Sequence, residues 1–279
     1  MFDTLRPETG ALAGEYPYVR AGSGPKTLLV IPGIEDALFD GEYGRTGAIA
    51  VARTYRRFFE EYTVYVVSRP RDLPEGSSIA DMAAIYGELL EAELGPASVL
   101  GLSMGGLIAQ ELALTYPEQV TRLVLGVSGS RIAPEIAQLA RRLRWYALEG
   151  QWVRIQRELL QTMHTGWRNR LYPRLATAIG RVRPPSPAVP DDVVISMDAV
   201  TDFDSRDRLE GIDARTLVIG ADEDPFFPER VLRETHAEIP DAQLAMFRGR
   251  KHGVFLEKKS AFDNWVLQFL TEERPLAHH

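Results

Sequence analysis

Cysteine is absent from the 279-residue chain. Its absence excludes disulfides, thiolate metal sites and a cysteine nucleophile together. An excess of basic residues is missing too. With 32 Lys+Arg against 39 Asp+Glu the formal net charge is -7, so the chain carries no overall basic footprint for nucleic acid. No apolar run approaches the roughly 20 residues needed to cross a bilayer, and no membrane is expected as a partner. The opening stretch MFDTLRPETGALAGEY lacks the charged start and greasy core of a secretory signal. A soluble, cytoplasmic protein is the expectation. His278 and His279 are read as a tag remnant and set aside from any site.

Acidic residues are scarce in one block. Eleven arginines fall between Arg131 and Arg183, opposed only by Glu135, Glu149 and Glu158. A mid-chain block of different charge points to an inserted unit.

What is present is a series of short, non-alternating apolar runs. They are Thr27 to Ile31, Thr63 to Val67, Ala97 to Leu102, Arg122 to Val127, Arg215 to Ile219 and Ala242 to Phe247. Such runs suit strands buried on both faces of a parallel sheet. Tyr16 to Ala21 adds an earlier, partly antiparallel strand. Helical patterns lie between the runs: Arg45 to Glu61, Ile79 to Leu94 and Met104 to Tyr116. For the second of these, Ser77 or Ser78 can act as N-cap and Gly95-Pro96 as the stop. A C-terminal helix is predicted from Leu256 to Leu270. The fold class is α/β: a doubly wound, mostly parallel sheet of about eight strands with helices on both faces.

The strand series stops in mid-chain. Leu139 to Trp152 and Val153 to Met163 carry helical spacing, and Pro184-Pro185-Ser186-Pro187 with Pro190 makes a stiff linker. Residues 130–201 are therefore expected to be a helical cap laid over the carboxyl ends of the strands. Residues 1–129 and 202–279 would form the core.

The stretch Gly101-Leu102-Ser103-Met104-Gly105-Gly106 crowds three glycines around one serine where a strand meets a helix. A sharp turn there holds the serine in a strained conformation and needs small neighbours two residues away on each side. This is the G-x-S-x-G nucleophile elbow in the strand-turn-helix context that gives the motif its meaning. The helix start behind Ser103 favours a developing anion. A serine hydroxyl needs a base. Of His164, His236 and His252, the last lies in a strand-end loop on the same sheet edge as Ser103. His236 belongs to a helix surface and His164 to the cap. An acid must orient the histidine. Asp222, Glu223 and Asp224 crowd the loop after Ile219, and the residues alone do not choose among them. The backbone N–H groups of Met104 and Ile34 are the candidate oxyanion donors.

With Ser103, an acid and His252 in that order, the chain resembles the α/β-hydrolase superfamily over nearly its whole length. The likeness is carried by LLVIPG, VLGLSMGG, TYPEQV followed by TRLVLGVS, LEGIDARTLVIGADEDPFFP, and KHGVFLE. The resemblance implies Ser103 as nucleophile, His252 as general base and Asp224 as orienting acid, since Asp224 stands four residues before Pro228. Asp222 is the fallback. A serine at the elbow disfavours the dehalogenase and epoxide-hydrolase chemistries of the fold, which use aspartate. The chain departs from the family in having Pro32-Gly33 where His-Gly is common. Glu35 and Asp36 follow closely, and Asp36 is expected to cap a helix and face away.

The expected reaction is hydrolysis of a carboxylic ester of a small to medium, largely apolar substrate through an acyl-enzyme, with no metal and no organic cofactor. Carbon–carbon or thioester cleavage, or a slow-turnover ligand sensor on the same scaffold, stays open. The expected partner is a small-molecule acyl substrate. Trp145, Met163, His164, Trp167 and Phe226 are the candidate pocket residues, and the arginines of the cap offer a way to hold an anionic group. The oligomeric state is not specified by the sequence.

Overall fold

The computed structural model describes residues 6–272; His278 and His279 lie outside them. Eight strands form one sheet: β1 (Glu8–Leu12), β2 (Tyr16–Ala21), β3 (Lys26–Ile31), β4 (Tyr62–Val67), β5 (Ala97–Leu102), β6 (Val120–Gly126), β7 (Thr216–Ala221) and β8 (Ala242–Phe247). Their order is β1-β2-β4-β3-β5-β6-β7-β8. β2 pairs antiparallel with both β1 and β4; every other neighbouring pair is parallel. β1 is the one strand not anticipated. Its sequence, ETGAL, has a single buried residue and no apolar run to announce it.

The inner strands are apolar on both faces because helices cover both. All six residues of β5 and all six of β7 are buried. Alternate residues point to opposite sides. Leu29 and Ile31 join one core with Met82 and Tyr86 of α2 (Ile79–Leu89), Leu107 and Ile108 of α3 (Met104–Thr115), and Val231 of α8 (Glu229–Glu238). Leu28 and Val30 join the other, with Ala52 of α1 (Arg45–Tyr55) and Phe262, Val266 and Phe269 of α10 (Lys259–Thr271). α3 is buried from Met104 to Ala113, which accounts for its being apolar on every side.

Helix ends follow local chemistry. Ser78 is the N-cap of α2 and forms a reciprocal capping box with Asp81. The α-helix then widens into a π turn at Leu90–Leu94 and stops at Gly95. α1 ends at Tyr55, short of the predicted Glu61, because a 3-10 turn, Arg56–Phe58, turns Phe58 and Phe59 into the core. The predicted C-terminal helix is divided into α9 (Val254–Glu257) and α10.

Between β6 and β7 lie α4 (Ala137–Leu148), α5 (Trp152–Met163), α6 (Arg168–Val182) and α7 (Pro190–Asp202). The chain leaves and re-enters at a pinch, where Arg131 bridges Asp204 and Ser205 N–H donates to the Ser130 carbonyl at 3.0 Å. α4, α5 and α7 share a small core of Leu139, Leu143, Tyr146, Ile155, Val193 and Met197. Asp192 at the start of α7 fastens this unit to the loop after β4: its carboxylate accepts from Asp72 N–H at 3.1 Å and Leu73 N–H at 2.8 Å. Among the described residues no helix is long and apolar enough to cross a membrane.

Asp192 is buried, so removing its carboxylate would leave both amides without their acceptor. Asp192→Ala is expected to lower unfolding free energy by about 2 kcal/mol, measured by urea denaturation.

Candidate active site

The turn between β5 and α3 is built from steric necessity. Ser103 has φ 53° and ψ -119°, a combination that costs a non-glycine residue energy. A Cβ on Gly101 would overlap the backbone of Gly105, and one on Gly105 would overlap the carbonyl of Ile31. Both positions therefore exclude any side chain. Gln110, one α3 turn beyond Gly106, bonds to the carbonyls of Gly106 and Gly129 and receives a bond from Ser205 Oγ. It fastens the helix start to the loop after β6.

The fold brings Ser103, His252 and Asp224 into one hydrogen-bonded run. His252 Nε2 lies 3.0 Å from Ser103 Oγ, and His252 Nδ1 lies 2.7 Å from Asp224 Oδ2. A carboxylate only accepts, so Nδ1 carries the proton and Nε2 is left to accept from the serine hydroxyl. Asp224 Oδ1 accepts from Phe226 N–H at 2.8 Å and Phe227 N–H at 3.2 Å, which fixes the carboxylate in place. Phe227 stacks on the imidazole and Phe226 tilts against it, with ring centroids 6.0 and 4.9 Å away. Asp224 and His252 are both buried.

Neighbouring acids do other work. Asp222 accepts weakly from Arg250 N–H at 3.4 Å and stands 3.6 Å from Arg248, while Glu223 is exposed. His236 lies on α8, partly exposed. Met104 opens α3 and Ile34 opens a 3-10 turn, Ile34–Leu38. The first N–H groups of a helix have no intrahelical acceptor, and both residues line the cavity that holds Ser103. Asp36 faces away as anticipated but caps no helix. It accepts from Ser68 Oγ at 2.7 Å and Arg69 N–H at 3.0 Å, and it pairs with Arg71 at 3.2 Å.

A cavity of about 600 Å³ opens over Ser103 and His252, within the range of small-molecule sites. One part runs under the helices after β6, along Ile136, Leu143, Leu159 and Met197. Another runs toward α1 and α10, along Tyr55, Phe255 and Phe262. Met163, His164 and Phe226 line it, as expected from the sequence. Trp145 and Trp167 do not. Trp145 is 49% exposed, because the inward face of α4 is set by Leu139, Leu143, Tyr146 and Ala147, and Trp145 stands on the opposite side. Trp167 is 59% exposed, with Arg168 over its ring and Tyr172 at its edge. No arginine is among the lining residues, so the cap arginines do not reach this cavity to hold an anion. Sequence reading missed Tyr55 and the α10 residues of the wall. The Ile136-Leu143 and Leu159-Met163 spacings were the available signals for the α4 and α5 faces. Among the described residues, no three His, Cys, Asp or Glu side chains converge as a metal site.

His164 does more than line the wall. Its Nδ1 lies 3.0 Å from Glu257 Oε1, and Thr165 donates to the same carboxylate through N–H at 2.9 Å and Oγ1 at 2.7 Å. Gly253 N–H donates to the Met163 carbonyl at 2.7 Å. The end of α5 is thus tied to the segment that carries His252. Burial pushes the Glu257 pKa up, but the Thr165 amide and hydroxyl and the His164 ring outweigh it and hold it below the usual carboxylate range.

Residues 28–263 match the model of the Alpha/beta hydrolase family. The chain belongs to that family. It is 26% identical over 235 residues to pimeloyl-(acyl-carrier protein) methyl ester esterase of Vibrio campbellii, a match covering 81% of this chain and 91% of the relative. A solved hydrolase from Pseudomonas aeruginosa superposes with TM-score 0.75 at 25% identity, over 96% of this chain and 99% of its own. The enol-lactonase of Burkholderia xenovorans superposes with TM-score 0.77 at 20% identity, over 95% of this chain and all of its own, 100%, and so shares the fold.

Two outcomes follow for stability. Gly105→Ala must displace the end of β3, and is expected to cost about 3 kcal/mol or more in urea denaturation. The depressed Glu257 pKa stabilises the fold above the unfolded-state value near 4.3 and ceases to do so as pH falls through the folded value. The stability gap between wild type and Glu257→Gln, measured by denaturant unfolding, is therefore expected to be widest near neutrality and to close below about pH 4.

Proposed function

We propose that this member of the family is a serine hydrolase that cleaves a carboxylic ester of a small to medium, largely apolar substrate through an acyl-enzyme. The observation that carries the reading is the hydrogen-bonded run from Asp224 through His252 to the strained Ser103, opening into an apolar cavity. The ester hydrolase relative supports the bond type.

In this reading Ser103 Oγ attacks the acyl carbon while its proton passes to His252 Nε2. Asp224 keeps the imidazole oriented and stabilises it when charged. The carbonyl oxygen becomes an oxyanion, held by the Met104 and Ile34 amides and the positive start of α3. Collapse expels the alcohol, which takes the proton from His252 Nε2. Water then attacks the acyl-enzyme by the same route, with His252 again as base, and the acid and free Ser103 are regenerated. The chemistry requires no cofactor. Residues 130–201 act as a cap over a core formed by residues 1–129 and 202–279, and close the apolar cavity above the serine.

A fluorophosphonate probe is expected to label the wild type and not Ser103→Ala. Turnover of p-nitrophenyl esters of graded acyl length is expected to fall by about 10⁴-fold or more in Ser103→Ala, and by about 10³- to 10⁴-fold in Asp224→Asn, in which the histidine loses its tautomer control. Probe labelling with negligible turnover of every ester would favour a slow ligand sensor. No labelling at Ser103 would remove the hydrolase reading altogether.

A further inference from the structure

One acid in the cavity wall has no role in the mechanism above. Glu35 stands between Ile34, the proposed oxyanion donor, and Asp36, which is committed to Ser68, Arg69 and Arg71. Glu35 turns the other way. Its Oε1 accepts from Gly33 N–H at 3.3 Å, a long bond, and a side chain at position 33 would collide with it. Glu35 is exposed and lines the cavity wall.

Charge in the cavity is unbalanced around this residue. Asp224 is taken by His252 and two amides. Lys259, the one lysine of the wall, pairs with Asp263. Among the described residues no lysine or arginine forms an ion pair with Glu35. Arg69, the nearest influence of opposite sign, gives its guanidinium to the carbonyls of Gly33 at 2.8 Å, Pro32 at 3.4 Å and Ile34 at 3.5 Å. Desolvation by the surrounding protein pushes the Glu35 pKa up and the charge of Asp36 adds to it, while its backbone hydrogen bond and the attraction of Arg69 and His252 only partly oppose this. The rings of Phe39 and Tyr55 line the same cavity but already face protein cations, Arg71 at 5.8 Å and Lys259 at 5.2 Å. A carboxylate on a largely apolar wall, with no lysine or arginine paired to it, makes a place where a cation on the substrate would supply what the protein does not.

We propose that Glu35 marks a subsite for a protonated amine, so that the preferred esters carry an alkylammonium group within reach of the scissile carbonyl. The inference rests on the hydrolase reading, and its test separates the two. At pH 8, kcat/KM is measured for 4-nitrophenyl 6-aminohexanoate and its uncharged counterpart, 4-nitrophenyl heptanoate, with wild type and Glu35→Gln. Thermal melting of both proteins checks that the variant is folded. Wild type is expected to favour the amine by about tenfold, a 1.4 kcal/mol preference, and Glu35→Gln to lose that preference. A wild-type preference for heptanoate, or a ratio unchanged in Glu35→Gln, overturns the subsite. Failure to turn over either ester counts against the hydrolase reading. The subsite is then judged by binding of n-hexylammonium against 1-hexanol, followed by NMR. Tighter ammonium binding that disappears in Glu35→Gln upholds it, and equal binding in wild type overturns it.

Discussion

The rest of the site depends on how closely two pieces of backbone approach each other. Where β5 turns into α3, the backbone at Gly105 lies against the carbonyl of Ile31 at the end of β3. That contact holds Ser103 in a conformation it would not adopt alone, with its hydroxyl at the head of the sheet. It also brings the loop after β3, with Ile34 and Glu35, beside the serine. The parallel packing of β3 against β5 sets the distance. The energy for the bend comes from the burial on either side of it: β5 is buried throughout and α3 nearly so. A well-packed interior can hold one strained residue because the cost of relaxing it is spread over many contacts.

Much of this architecture was legible from the chain. β5 and β8 fall where the apolar runs place them, and Ser78 caps α2 as its position suggested. Local chemistry decides those features, so local sequence reveals them. β1 was hidden because an exposed edge strand needs no apolar pattern. The choice of Asp224 over Asp222 came from family resemblance rather than from composition. In the structure the two differ by what surrounds them: Asp224 meets His252 and two amides, and Asp222 meets surface arginines. The directions of Trp145 and Trp167 were misjudged for a related reason. Aromatic character marks a residue that can be buried, while the face of the helix decides whether it is. Glu35 and Asp36 are adjacent in sequence and face opposite ways. Only the partners of Asp36, brought from the loop after β4, settle which acid turns inward.

Most of the cavity wall is aliphatic or aromatic, and its polar residues are spread along it: Ser103, His252 and Glu35 in one part, Gln156, His164 and Thr201 under the helices after β6, and Lys259 with Asp263 on α10. A largely apolar wall strengthens the charge interactions made within it, favourable or not. The arginines of α4 to α6 contribute nothing there. They sit on outer surfaces, where Arg142 pairs with Glu158 and Arg144 with Asp198, while Arg157, Arg170 and Arg174 border a shallow groove between α5 and α6.

The ties from Met163, His164 and Thr165 to Gly253 and Glu257 have a mechanical consequence. The end of α5 and the residues that follow His252 therefore stand on one foundation at that corner. If residues 130–201 serve as the proposed cap, lifting the end of α5 would strain the segment next to His252, and an opening that spares the histidine would form at the opposite side of that unit.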